Sequence, residues 1–404
     1  MTAILGALAD AWAEIRVHRM RVLLSLIGIA VSVGALTAVV ALSEYQFQNQ
    51  IEQSDRYGGR AATIQVYASA ADGGPVDAAQ FQERFDRVAE RYGFTQVSRV
   101  ADGLQVLVDA PDGARQTSAR LLDPSFALIH REKLIEGREF LPTDVEALAP
   151  PVIISEPLWD RLGRVPVAQH PTLRLRGEAG GTYQIVGVRP KQWQHDEEVR
   201  IDLLFDAYAA RVDRLPDETS VHWDVWVSEH SAAEIGPVLA MDLRAGLPAG
   251  QVVNVSRADF AAQPGYAEGM RIQELIMTGI AALILGLGAL SLINIQLVAM
   301  RQRVREIGVR RAFGATAGRV FTTVLLESLV ATTVAGIIGI ALTVAALRWV
   351  MAGDLLNMQL QDVPPFPMRA AVTGLVAAVV VGALSGFVPA LVALRVKVID
   401  AIRF

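Results

Sequence analysis

The sequence predicts an α-helical membrane protein with four transmembrane helices and a large α+β extracytoplasmic domain inserted between the first and second helices. Two observations carry this prediction: the placement of four long apolar runs and the distribution of charge around them. The runs are residues 22–42, 275–300, 320–347 and 370–394, and Glu327 is the one formal charge within them. A helix rises about 1.5 Å per residue, so each run can cross a hydrocarbon core of roughly 30 Å.

Charge is sorted between the inserted domain and the rest of the chain. Residues 44–270 carry 22 Lys and Arg against 34 Asp and Glu, a net charge of −12, whereas the remaining residues carry +7. Basic residues cluster before the first run, between the second and third, and after the fourth: Arg16, Arg19, Arg21; Arg301, Arg303, Arg305, Arg310, Arg311, Arg319; Arg395, Lys397, Arg403. The positive-inside rule places these clusters and both termini in the cytoplasm, so the acidic domain lies outside.

The apolar runs also set the predicted segment boundaries. Residues 1–21 place apolar side chains at helical spacing and predict an amphipathic helix in the inner interface, with a solvated leader helix as the alternative. The first run is longer than a signal-peptide core of about 7 to 15 residues, which favours a membrane anchor. The other segments are helices 22–45, 271–300, 320–350 and 370–394, the outer domain 46–270, a cytoplasmic segment 301–319, an outer loop 351–369 and a tail 395–404.

Two hydrophobic periodicities occur within the outer block, and their mixture indicates an α+β domain. Alternation predicts strands, helical spacing predicts helices, and the glycine-rich turn 177–181 predicts a hairpin. The strands are predicted at 63–67, 103–108, 151–155, 172–176, 183–188 and 221–227, and the helices at 78–92 and 156–162. The chain has no cysteine, so disulfides do not stabilise the block. Its stability must come from a core, which about 220 residues can supply.

Catalytic chemistry does not stand out in the sequence. The three lysines, Lys133, Lys191 and Lys397, do not follow a glycine, which excludes a Walker A phosphate loop within this sequence. The six histidines show no metal-ligand spacing, and His195 beside residues 196–198 reads as a solvated acidic loop. We therefore expect a non-enzymatic chain that binds no cofactor, no metal and no nucleic acid.

The segment 301–319 combines six arginines with a helical pattern. In a helix Glu306 lies near both Arg303 and Arg310, and it can pair with either. Gly314 is predicted to end this helix and Thr316 to cap the next. Charge alone favours a topology signal or a patch for anionic lipid. The alternative is a docking surface for a cytoplasmic protein.

The residues themselves favour docking. The stretch Arg303-Val-Arg-Glu-Ile-Gly-Val-Arg-Arg-Ala-Phe-Gly-Ala315 resembles the coupling helix of MacB/FtsX-type ABC transporter permeases. Further similar stretches occur in the family's order at 21–34, 134–140, 152–155, 162–163, 183–188, 326–327, 389–390 and 401–403. The chain departs from the family at residues 166–171, where a Pro-x-Gly-Gln-like step is usual, and it contains no ATPase domain.

This resemblance implies a permease subunit in a bacterial cytoplasmic (inner) membrane. It implies a second permease subunit, most simply in a homodimer, and two copies of a separate ATPase that binds ATP and Mg. Movement would pass to the outer domain by mechanotransmission, for export of a drug, peptide, haem or lipoprotein, with a periplasmic adaptor as a further partner. The alternatives are a regulator that moves a cell-wall hydrolase and, less favoured, a sensor receptor. The implied coupling residues are Arg303, Arg305, Glu306, Ile307, Gly308, Arg310, Arg311 and Gly314.

Two features of the third and fourth runs are also candidates. Glu327 lies inside the third run, where a bare charge is costly. Pairing or snorkelling at the inner interface is favoured over a proton or substrate role. Gly382 and Gly386 give the fourth run a small-x-x-x-small surface, which more often packs helices within one subunit than across a dimer.

Overall fold

The computed structural model describes residues 19–70, 78–191, 196–216, 219–245, 247–259, 265–313, 316–352 and 364–394. Most of the helix predicted at 1–21, His195, part of the outer loop and the tail 395–404 lie outside these residues. The chain divides into two compact units, of which one contains residues 49–267 and the other contains the residues on either side. The two units are described separately.

In chain order the helices are α1 (Arg19–Gly58), α2 (Ala78–Tyr92), α3 (Phe126–Ile129), α4 (Glu156–Arg161), α5 (Phe205–Ala209), α6 (Ala232–Arg244), α7 (Tyr266–Ala312), α8 (Ala317–Ala352) and α9 (Met368–Leu394). The strands are β1 (Thr63–Ala70), β2 (Val97–Ala110), β3 (Gly113–Leu122), β4 (Glu136–Gly137), β5 (Pro151–Ser155), β6 (Thr172–Arg176), β7 (Gly181–Arg189), β8 (Arg200–Leu204), β9 (Ser220–Trp226) and β10 (Gln251–Arg257).

The membrane unit confirms the predicted fold class. Four helices in the described chain are long and apolar enough to cross a membrane, at Leu26–Gly58, Glu268–Val298, Ala317–Met351 and Met368–Val392. The α1 and α7 helices extend well beyond their apolar runs, α1 to Gly58 and α7 from Tyr266 to Ala312. Helices pair interior backbone groups within the segment, which a lipid environment requires, and Pro389 in α9 is a position without a donor N–H.

Small residues bring the membrane helices into close contact. A methyl group added at Gly339 on α8 would collide with the Ala30 carbonyl on α1, and Thr343 Oγ1 on α8 donates a 3.0 Å hydrogen bond to the carbonyl of Gly34 on α1. The apolar side chains buried around these contacts are Ile29, Val33, Leu292, Ala335, Ala378 and Val381. Such close backbone approach favours helix association through van der Waals packing.

The outer unit is built on one mixed sheet. Among the described residues ten strands form it in the order β10-β1-β9-β2-β3-β8-β5-β7-β4, and β6 pairs with β2 and β7. The β3–β8 and β5–β7 pairs are parallel, and the remaining pairs are antiparallel. The predicted hairpin is present as β6 and β7, and the β5 strand is fully buried as its apolar run predicts.

Three apolar clusters cover this sheet in the described residues, and two of them are the largest. Phe81 and Phe85 of α2 and Leu239 of α6 pack on Trp223 at the β1, β9 and β10 end. Aromatic packing contributes there, since the Phe81 and Trp223 ring centroids are 4.6 Å apart. The second core lies between β2, β3, β5, β7 and β8 and is closed by Leu158 and Trp159 of α4. Together they supply the disulfide-free core that the sequence requires.

Candidate coupling segment and helix–domain junction

The predicted coupling segment is not a separate short helix. The α7 helix runs without a break from Tyr266 through the second span to Ala312, so residues 301–312 extend that span as helix. No proline interrupts α7, and no glycine lies at the change from apolar to basic residues, so nothing in the sequence ends the helix there. The structure describes the backbone of the segment but not the side chains of 299–311, and Gly314 lies outside the described residues. The docking roles of the eight coupling residues therefore stay a prediction.

The turn after this segment exposes an aromatic ring. Phe313 follows the last residue of α7 and is 89% exposed. The next helix begins directly afterwards, where Thr316 Oγ1 accepts a 3.4 Å hydrogen bond from the backbone N–H of Arg319, as predicted for a capping threonine. Sequence reasoning passed over Phe313, although an aromatic residue between two helices and beside several arginines is typical of protein-docking surfaces.

A polar cluster links three helices close to the coupling segment. Gln296 on α7 donates from Nε2 to Ser328 Oγ on α8 at 2.8 Å, and Ser328 Oγ donates to the Gly382 carbonyl on α9 at 3.1 Å. Ser385 Oγ lies 3.4 Å from Ser328 Oγ. Interhelical hydrogen bonds of this kind contribute about 0.6 kcal/mol each in membrane proteins. The cluster therefore ties α7 to α8 and α9 five residues before the first arginine of the segment.

The predicted packing glycines lie at the same helix contact. A methyl group added at Gly382 would meet Thr332, and one added at Gly386 would lie 2.7 Å from Ser328 Cβ. Both glycines thus face α8 within the same chain. Glu327 precedes Ser328 on α8 and is half-buried. Its structural role at the inner interface stays a prediction.

The charged groups inside the outer unit are paired with one another. Arg120 Nε donates to Asp202 at 2.9 Å, Arg189 also contacts Asp202, and Arg189 Nη1 lies 2.6 Å from Glu132. Burial alone would raise the pKa of Asp202, but the two guanidinium groups outweigh it and lower that pKa. Within the described residues no group of three or more His, Asp and Glu side chains could hold a metal ion.

A second buried ionic group lies where α1 meets the outer sheet. His130 follows α3, and its Nε2 lies 2.7 Å from Asp224 Oδ2 on β9. Its Nδ1 lies 2.9 Å from the carbonyl of Arg56 in the last turn of α1. Burial would raise the pKa of Asp224, yet His130 and His222 hold it at about 2. Asp224 is therefore a carboxylate inside the domain.

Two family profiles match this chain. The MacB-like periplasmic core domain matches residues 22–236, and the FtsX-like permease C-terminal domain matches residues 278–398. The chain belongs to the MacB/FtsX-type ABC transporter permease family. It is consequently a multi-pass protein of the bacterial inner membrane, and the orientation of its termini stays a prediction.

Individual relatives of this permease are distant but extend along its whole length. The macrolide export ATP-binding/permease protein MacB of Nitrosomonas europaea is 26% identical over 97% of this chain and 58% of its own length. The pyoverdine export ATP-binding/permease protein PvdT of Pseudomonas putida is 25% identical over 99% of this chain and 60% of its own length. The permease therefore spans less than two thirds of these two relatives.

A third relative has the same extent as this permease. The uncharacterized ABC transporter permease YknZ of Bacillus subtilis is 25% identical over 98% of both chains. The solved extracellular domain of YknZ is also similar, with a TM-score of 0.37 and 15% identity over 48% of this chain and 99% of that domain.

The junction residues could not be found by inspecting the sequence. His130 is one of six histidines without metal-ligand spacing, and its partners Arg56 and Asp224 lie 74 and 94 residues away in the chain. The signal that was available is modest: His222 and Asp224 alternate on one predicted strand whose other positions are apolar. A carboxylate on the buried face of a strand requires a partner, and the sequence does not say which one.

Proposed function

We propose that this permease couples ATP hydrolysis on the cytoplasmic side to movement of its outer domain, and that the movement drives export. The observation that carries the proposal is the continuity of α7, a helix of 47 residues from Tyr266 to Ala312. Such a helix is about 70 Å long and is hydrogen-bonded throughout, so displacement at one end reaches the other. The names of the MacB and PvdT relatives support export as the outcome.

The energy source in this proposal is an ABC ATPase in a separate chain, present in two copies and holding ATP and Mg. The name of the YknZ relative, an ABC transporter permease, supports it. Two permease subunits, most simply identical, complete the assembly. A periplasmic adaptor and anionic lipid around the arginines are further proposed partners.

Docking on the ATPase uses the segment that ends α7. Arg303, Arg305, Arg310 and Arg311 supply positive charge, and Phe313 supplies an exposed apolar group beside them. Charge complementarity then requires an acidic rim on the ATPase, and the aromatic ring requires an apolar pocket. Glu306 and Gly308 set the shape of the surface between the charges.

The test is recovery of the partner with a tagged permease from the native host. Unaltered protein should copurify an ATPase whose activity vanadate inhibits, whereas Glu306→Lys should lose it at the same membrane level. Asp112→Lys is the matched control, because it makes the same charge reversal on an exposed turn between β2 and β3. Full ATPase recovery with Glu306→Lys would remove the docking role and return the segment to a topology signal.

A further inference from the structure

The connection between α1 and the outer sheet contains two consecutive glycines. Gly58 ends α1 and Gly59 follows with φ of +80°, a backbone conformation that glycine adopts without strain. Small residues at the end of an element commonly act as hinges. Movement of α1 would be absorbed at this glycine pair unless another contact spanned it.

One short segment spans the glycine pair. The backbone N–H of Arg60, after the pair, donates to the Ile129 carbonyl at 2.9 Å. The Arg56 carbonyl, before the pair, lies 2.9 Å from His130 Nδ1. Arg131 Nη1 adds an ion pair to Asp55 Oδ2 on α1 at 3.5 Å. Residues 129–131 therefore hold the chain on both sides of the hinge.

The contact with α1 is itself fixed to the sheet. His130 is 3% exposed, its ring stacks on Phe126 with centroids 4.1 Å apart, and its Nε2 lies 2.7 Å from Asp224 on β9. The Arg56 carbonyl and the Asp224 carboxylate can only accept hydrogen bonds. Each ring nitrogen of His130 therefore faces an acceptor, one on α1 and one on β9.

We propose that His130 is a positioning residue of this permease that fastens the last turn of α1 to the outer domain across the glycine pair, with Asp224 on β9 aligning its ring. With this contact, rotation or displacement of α1 passes into the outer sheet. Without it, the same displacement bends the chain at Gly58 and Gly59. The consequence for transport rests on the proposed function, but the fastening does not.

Two conservative variants separate this role from a contribution to stability alone. In His130→Asn the side-chain amide occupies the position of Nδ1, so it keeps the donor to the Arg56 carbonyl and loses the reach to Asp224. In His130→Gln the amide occupies the position of Nε2, so it keeps the hydrogen bond to Asp224 and loses the hydrogen bond to the Arg56 carbonyl on α1. In His130→Asn, Asp224 keeps only His222, at 3.6 Å, among the described residues, and weakening the pairing of a buried carboxylate is the larger penalty, so this variant should have the lower thermal stability.

The readout is a distance across the hinge, measured by pulsed electron paramagnetic resonance on the full-length permease in lipid nanodiscs. The chain has no cysteine, so spin labels at Tyr57→Cys and Asp112→Cys report α1 and the outer sheet without background. The labelled permease with His130 in place and the labelled His130→Asn variant should each give one narrow distance distribution. The His130→Gln variant should lose that narrow distance, although it is the more stable of the two. Substitution of the exposed His230 by alanine is the control and should change nothing.

A folded His130→Gln variant with a narrow distance would overturn the proposal. The proposal would also be overturned if the distance distribution broadened more in His130→Asn than in His130→Gln, because broadening would then follow the loss of thermal stability. If His130→Gln fails to fold, Arg131→Asn takes its place. Asparagine tolerates the φ of +49° at that position and removes the guanidinium that pairs with Asp55 but leaves both His130 contacts, so it should keep the narrow distance, and a broadened distance would overturn the proposal by assigning the fastening to Arg131. The measurement uses no ATP, so its result is independent of whether an ATPase copurifies.

Discussion

Alanine at Gly382 is expected to loosen the contact between α8 and α9. The added methyl group would lie well inside 3.0 Å of Thr332 Oγ1 and 3.2 Å from the Leu329 backbone. Overpacking of this kind costs about 1 to 3 kcal/mol. Replacing glycine by alanine inside a helix returns about 1 kcal/mol. The net effect is a destabilisation of about 1 kcal/mol, with an upper limit near 2 kcal/mol.

The comparison is made with Gly279→Ala, a substitution of the same type on α7. No atom lies within 4 Å of a methyl group at Gly279, so this variant keeps only the gain in helix propensity. Thermal unfolding in detergent should place Gly382→Ala below the parent and Gly279→Ala at or above it. Thr332→Ala should partly restore Gly382→Ala, because it removes the colliding oxygen. Identical melting temperatures for the two glycine variants would refute the packing argument.

Three further outcomes are expected. Impermeant thiol reagents should label Ala110→Cys and Leu360→Cys in spheroplasts but not Gln302→Cys, and labelling at residue 302 would contradict the predicted topology. The free energy of unfolding of the outer domain should fall by about 2 kcal/mol as pH falls from 4 towards 2. The folded pKa of Asp224 is about 2, below its ordinary value of 3.8, so the stabilisation by its carboxylate is present above pH 3.8 and is lost as pH falls towards 2. Chemical denaturation of Asp224→Asn over this range should show a weaker dependence on pH. With a copurified ATPase, His130→Gln should retain ATP turnover while a spin label at residue 112 no longer responds to ATP and vanadate; equal loss of both would indicate simple misfolding.

Local pattern predicted much of the fold. The spans followed from hydropathy, and the β6–β7 hairpin followed from two alternating runs around a glycine turn. The β2 strand is longer than predicted, Val97–Ala110 instead of 103–108, because a bulge between Ala101 and Leu104 interrupts its alternation. The β3, β4, β8 and β10 strands were not predicted; β8 and β10 are stabilised by partners distant in sequence, whereas β3 pairs with the neighbouring β2. Tertiary pairing overrides weak local preference in such strands.

The sequence predicts the helix of the coupling segment well and the junction at His130 poorly. The coupling segment is local, so its composition and helical spacing were visible in the sequence. Its continuity with the second span was not predicted, because the change from apolar to basic residues suggested a boundary where the backbone has none. The junction at His130 depends on a backbone carbonyl and a carboxylate from two other elements. Neither partner leaves a signal near residue 130.

The pairing of β1 with β10 has a mechanical consequence. The β1 strand follows α1 and β10 precedes α7, and the first rung of their ladder, Ile64 opposite Arg257, is the one next to both helix connections. Pulling the two connections apart thus loads the interstrand hydrogen bonds one after another from this end, whereas sliding the strands past each other loads all of them together. This end of the ladder is reinforced, since the Ala258 N–H donates to the Thr63 carbonyl at 3.0 Å. The outer sheet therefore resists sliding of these strands more strongly than their separation.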